Sequence, residues 1–308
     1  MKKVLVIYYT QSGQLLEIAK SITSDLEKEA EVAVSYYQIE MESPFRFPWK
    51  KEAFFNIFPE TFLQIPAALK TEKIPEIEGE YDLVILAYQV WFLTPAIPVN
   101  SFLKNKVSDA VFKDTPVITV IGCRNMWIMA QEKIKTLLWA KKANLVGNIA
   151  LVDRHVNHIS VITISHWMFT GLKTKYLKIF PKPGVASVDI KNAARFGKYI
   201  LKSLKENNYE QLQPALLREG AVKINPFLVL VDKRANFLFD KWARLIVTKG
   251  EKKGGKRLLW IKLFNLYLLF AIWFISPVVY LIYLISYPFS VVKIKKEKKY
   301  YAGVKKNL

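Results

Sequence analysis

The stretch best equipped for chemistry is Thr10-Gln11-Ser12-Gly13-Gln14-Leu15. Thr10 and Ser12 offer hydroxyls, and Gly13 lets the backbone approach a ligand closely. Before it, Val4-Leu5-Val6-Ile7-Tyr8-Tyr9 reads as a strand covered on both faces. After it, Leu15, Leu16, Ile18, Ala19 and Ile22 repeat at helical spacing. A turn that feeds a buried strand into a helix leaves the first N–H groups of that helix free, and such a terminus suits an anion. The turn has no lysine, unlike the nucleotide-hydrolase loop, and lacks the second and third glycines of the dinucleotide fingerprint.

Two further stretches carry reactive side chains. Gly122-Cys123-Arg124-Asn125 holds the single cysteine, so no intramolecular disulfide can form and a reducing compartment fits. Cys123 reads as a small buried apolar residue, and Arg124 as a loop arginine able to hold an anionic group. His155, His158 and His166 fall within 153–169, but no second ligand cluster completes a metal site, so solvated or capping histidines are expected.

The elements that must position these residues follow the chain. A helix is predicted over 13–28 and a second strand over 31–39. An aromatic, proline-punctuated insertion over 40–78 follows, read as a satellite hydrophobic cluster or a lid. Strands are expected at 81–87, 115–121 and 145–152, helices at 127–143 and 187–204. Five strands alternating with helices predict an α/β doubly wound five-stranded parallel sheet in order 2-1-3-4-5. Ligands in such sheets sit beyond the carboxyl ends of the strands, where the loops at 10–15, 89–93 and 122–125 lie.

At Thr10, Ser12, Gly13 and Gln14 the chain resembles the flavodoxin-like family, whose first loop wraps the FMN phosphate; Leu15 stands where that family has a third hydroxyl. Val90, Trp91, Pro95, Pro98, Phe102 and Leu103 are similar in order and spacing to the family's second flavin loop, with Gln89 in place of a proline and Leu93 in place of a glycine. The resemblance implies FMN as cofactor. Thr10, Gln11, Ser12, Gly13, Gln14 and Leu15 would then surround the phosphate, and the ring would lie between Gln89, Val90, Trp91 and Phe92 and the Gly122–Asn125 loop. Trp91 is the expected ring neighbour.

Composition divides the chain. Of a formal net charge of +20, residues from Lys241 onward carry 15 Lys/Arg against 2 Asp/Glu, leaving +7 for residues 1–240. Basic surplus beside apolar sequence points to a membrane surface with anionic head groups and away from nucleic acid. Residues 263–292 contain no charged side chain over thirty positions, against about 20 apolar residues needed to cross a bilayer. Basic clusters at both ends (Lys252 to Lys262 and Lys293 to Lys306) give no orientation, and Pro277 permits a kinked span or a re-entrant hairpin. The basic Met1-Lys2-Lys3 start followed by an apolar run is too short for a signal peptide. The expected organisation is a flavodoxin-like domain over 1–205, an amphipathic juxtamembrane segment over 206–257, a transmembrane or re-entrant segment over 258–292 and a basic tail over 293–308, with the main domain cytoplasmic.

Three functions are compatible with these features. One is a membrane-anchored FMN oxidoreductase, reduced by NAD(P)H or a redox partner, acting on an apolar quinone or aromatic lipid. The second is a tethered electron carrier, although the carriers it would resemble are acidic and residues 1–240 are net basic. The third is a flavin-free scaffold. Over its whole length the chain also resembles a bacterial group labelled dialkylresorcinol condensing enzyme, through Cys123-Arg124-Asn125-Met126-Trp127 and Phe45-Arg46-Phe47-Pro48-Trp49. That label implies an aryl-polyene pigment-lipid context and Cys-His-Asn acyl chemistry, for which the predicted architecture is unsuited.

Overall fold

The computed structural model describes residues 1–70, 72, 77, 79–252 and 254–305. Parts of the 40–78 insertion and the last three positions of the basic tail therefore lie outside the described residues.

The strands are β1 (Lys2–Tyr8), β2 (Val32–Gln38), β3 (Leu83–Trp91), β4 (Thr94–Pro95), β5 (Pro116–Cys123) and β6 (Asn144–Val152). In β1, Leu5 and Ile7 enter one hydrophobic cluster while Val4, Val6 and Tyr8 enter the other. This is why the strand reads as an unbroken apolar run: both faces of its period-two pattern are covered. The ladder runs β2-β1-β3-β5-β6, all parallel, and β4 pairs antiparallel with β3 alone. The expectation of five strands in order 2-1-3-4-5 is corrected by this two-residue strand, which raises the count to six and makes the chain-order numbering 2-1-3-5-6. It is too short to carry a periodic signal.

The helices are α1 (Gln14–Glu27), α2 (Lys51–Asn56), α3 (Phe58–Phe62), α4 (Ile97–Lys104), α5 (Asp109–Phe112), α6 (Ile128–Ala140), α7 (Asn157–Thr170), α8 (Ser187–Asn192), α9 (Gly197–Glu206), α10 (Leu212–Arg218), α11 (Pro226–Val247), α12 (Gly255–Phe270) and α13 (Ser276–Ala302). The expected 187–204 helix is two, separated by a 3-10 turn over Ala193–Phe196. α1 and α8 to α10 close one face of the sheet; α4 and α6 close the other.

A third cluster sits outside these layers. Phe58 of α3 stacks on Phe264 of α12 at 3.8 Å, edge-on to Phe239 of α11 at 5.4 Å. Beside it Arg257 Nη2 donates to both Glu60 carboxylate oxygens at 2.7 and 2.8 Å, with both side chains buried. The described part of the insertion is thus a saddle for the C-terminal helices. Gly255, within the segment expected to be juxtamembrane, opens α12.

α12 and α13 join through a π-helical segment, Ala271–Ile275, into one helix over Gly255–Ala302, long and apolar enough to cross a membrane, with its most apolar window unburied. Both ends rest on the α/β domain. Arg257 and Phe264 hold the first end. At the other, Tyr300 OH donates to Glu132 Oε2 at 2.6 Å and Gln213 Nε2 donates to the Ala302 carbonyl at 2.8 Å.

Candidate functional site

The turn after β1 ends on Gly13, whose φ of 84° is left-handed, a conformation that costs glycine little. No side chain caps α1, so its first amides remain available to a ligand. Thr10 Oγ1 and Gln11 Nε2 are buried without a hydrogen-bond partner, while Ser12 is half-buried. Buried polar atoms normally find partners, so two orphans in one turn call for an explanation.

Not every side chain expected at the phosphate is free for it. Gln14 Nε2 donates to the Val185 carbonyl and Val185 N donates back to Gln14 Oε1, both at 3.0 Å. Its amide latches the 184–185 loop to α1. Leu15 is 2% exposed and packs under Gly122, where an added Cβ would stand 3.0 Å from Leu15 Cδ1. Both residues can offer a ligand only their backbone N–H.

Beyond β3 the chain makes a two-residue hairpin, Phe92-Leu93, with φ of 48° and 63° and register Trp91↔Thr94. Positive φ at both central residues is the type I′ pattern that glycine and asparagine favour. Here packing replaces glycine: Phe92 stacks on Phe54 at 4.6 Å and lies 5.2 Å from the Phe58 ring. Trp91, the expected ring neighbour, is engaged by the protein's own rings. It is 6% exposed, locked edge-on by Tyr9, Phe45 and Trp49 at 5.9, 5.2 and 5.5 Å. Gln89 is tied into the ladder opposite Gly122, its carbonyl accepting from Ala96 N at 3.0 Å.

After β5, Arg124 Nη1 donates to Asn157 Oδ1 at 2.7 Å, and Asn125 Nδ2 donates to the same oxygen at 3.1 Å. Burial pushes the Arg124 guanidinium down to about 10 and raises the Cys123 thiol, only partly offset by Arg124 beside it. A thiol held protonated is a poor nucleophile. Asp153, deeply buried, accepts from Ser160 Oγ at 3.1 Å and Gly184 N at 3.3 Å, fixing the segment that crosses the rim. His158 Nε2 donates to the Ile272 carbonyl at 2.9 Å, within the π-helical segment. No group of three metal-ligating residues occurs among the described residues.

The second and third loops converge on a cavity of about 680 Å³, within the size range of small-molecule sites. Val90, Phe92, Leu93, Cys123 and Arg124 line its sheet side; Asn157, Ser165 and Met168 of α7 a second wall; Leu238 of α11 and Asn265, Ile272 and Ser276 of the long helix the rest. Residues 10–13 do not line it. Sequence reading missed Asn157 and the whole α7 wall, because the apolar run over 159–169 has no polar face to mark it as a helix.

No protein-family model matches the chain, and no curated protein matches it. Solved structures do. A protein from Bacteroides eggerthii DSM 20697 provisionally named a flavoprotein aligns over 54% of this chain and 98% of its own, at 16% identity and TM-score 0.38. A flavoprotein from Lactobacillus acidophilus NCFM in complex with FMN aligns over 49% and 93%, at 17% identity and TM-score 0.36. RosB with bound 8-demethyl-8-formylriboflavin-5'-phosphate aligns over 73% and 92%, at 12% identity and TM-score 0.35. At these scores the likenesses assign no family.

Proposed function

We propose that this chain is a membrane-attached flavin-dependent oxidoreductase that uses FMN and acts on an apolar substrate held in the cavity between the sheet rim and the long helix. The observation that carries this reading is the pair of orphaned atoms, Thr10 Oγ1 and Gln11 Nε2, buried in an uncapped turn at the carboxyl edge of β1. That turn lies where the chain order switches from β1 outward to β2 on one side and β3 on the other. A phosphate there would accept from Thr10, Ser12 and the amides of Gly13, Gln14 and Leu15. The ring would extend toward Val90, Phe92, Cys123 and Asn125. Bound FMN supplies electron or hydride chemistry; the chain binds, orients and shields it.

The two docked helix ends support attachment to the membrane from one side. A perpendicular span would separate its ends by about 30 Å of hydrocarbon. Here one continuous helix has both ends on the same domain, which favours a helix lying in the plane of the membrane surface, with the domain cytoplasmic, where FMN and its reductant are found.

The test is purification of the full chain in detergent, its absorbance spectrum, and NAD(P)H oxidation with a quinone. Flavin bands with NAD(P)H turnover support the oxidoreductase; flavin reduced only by a partner protein would make it an electron carrier. The commitment of Gln14, Leu15 and Trp91 to packing favours a second reading, a flavin-free tethered scaffold, which predicts a colourless preparation. Condensing chemistry at Cys123 draws no support from a thiol whose pKa is raised by desolvation. Cys123→Ala is expected to leave flavin content unchanged.

A further inference from the structure

The lining of the 680 Å³ cavity is asymmetric in charge. Among the described residues it includes Lys51, Arg124 and Arg234 and no aspartate or glutamate. Arg124 is the inner cation: among the described residues it forms no ion pair with a carboxylate within 4 Å, it donates hydrogen bonds to neutral Asn157, and the buried Asp153 carboxylate acts on it only from beyond ion-pair distance. A half-buried cation with no ion-pair partner is only partly compensated for the water it has lost, and an anion brought to it would recover part of that cost. The remaining wall is apolar, from Phe92 across to Ile272 and Val279.

The cavity adjoins a second space beside the long helix. Arg234 and Leu238 line both it and a second space, likewise about 680 Å³, between α11 and α13, edged by Lys233 and Lys293. An amphiphile could reach Arg124 from the bilayer surface head-first, leaving its chain against the long helix.

We infer that the cavity binds an amphiphile with one anionic head group, held at Arg124 and Asn157, and a single apolar chain lying along the Ala271–Ile275 segment. This rests on the reading that the cavity receives the substrate and adds its charge class. A head group beside Cys123 would lie at the rim where the ring is proposed to end.

The experiment uses the full chain in nanodiscs, with empty nanodiscs subtracted, and measures displacement of a fluorescent fatty acid by dodecanoate, dodecanol and butyrate. Dodecanoate should bind about tenfold tighter than dodecanol, the scale of one charge-assisted contact. Butyrate should not compete, which distinguishes a membrane amphiphile from a small soluble acid. Arg124→Gln should bring dodecanoate and dodecanol to parity and Arg124→Lys should keep most of the preference. Ser165→Trp, which fills the cavity without touching the charge, should weaken both. An unchanged preference in Arg124→Gln, equal binding of dodecanoate and dodecanol by the parent protein, or competition by butyrate overturns the inference. Flavin absorbance on the same samples separates the two claims: loss of the preference with flavin retained sinks only the amphiphile site, and the preference without flavin sinks only the redox reading.

Discussion

Neighbouring strands β1 and β3 end in turns of opposite construction. The turn after β1 uses glycine for its positive φ, leaves two buried polar atoms unmet and caps nothing. The turn after β3 forces Phe92 and Leu93 into positive φ and holds them by aromatic packing on the insertion. Strain of this kind costs of order 1–3 kcal/mol and persists only where surroundings over-determine it. The first turn is left with polar atoms open to a partner; the second is completed by the protein's own side chains.

If the β3 turn is held by the insertion, the insertion's own anchor is the place to break it. Glu60→Ala strands Arg257 in a buried site and should cost roughly 3–5 kcal/mol in detergent-based unfolding, whereas replacing the pair together by Leu and Met should cost far less. Phe58→Ala should cost a similar amount, about 3–5 kcal/mol, by emptying the stack against Phe264.

The β1 turn should respond the other way round. Thr10→Val is expected to lower bound flavin about tenfold, roughly 1.4 kcal/mol, yet leave flavin-free stability unchanged or slightly raised, because it deletes an unsatisfied buried hydroxyl. Flavin content and unfolding of the stripped protein, measured on one sample, check both halves.

A pH effect is expected where α11 meets α6. Asp232 is fully buried, and its Oδ2 accepts from Met129 N at 3.1 Å. Burial raises its carboxyl from 3.8 to about 7, so across that window the folded chain holds a proton that the unfolded chain releases. Stability from this group should therefore fall as pH rises from about 4 to about 7 and level off above. Asp232→Asn should flatten that slope in a pH series of thermal unfolding.

The smallest effect is expected at Leu93. Leu93→Gly relieves a left-handed φ of 63° but removes side-chain burial, so the net change in unfolding free energy should stay within about 1 kcal/mol.

Much of this architecture was legible in the sequence because β1, β3, β5 and β6 are buried on both faces and read as apolar runs, and α11 declares its two faces by mixing Phe239 and Ile246 with Lys241 and Arg244. What escaped was partner choice. Nothing local to Trp91 says that Tyr9, Phe45 and Trp49 surround it, and nothing near Gln14 says that Val185 satisfies it from 171 positions away. The insertion's aromatic character was plain, but its use as a seat for Phe264 and Arg257 depends on contacts some 200 residues apart in sequence.

The measurement that bears most directly on the central claim is the absorbance spectrum of the gently detergent-solubilised full chain, recorded beside Thr10→Val. Near-equimolar flavin in the parent protein and its loss in a variant that still folds is the predicted result. A colourless parent that gains no flavin when FMN is added would contradict it, leaving an α/β domain with a long apolar C-terminal helix.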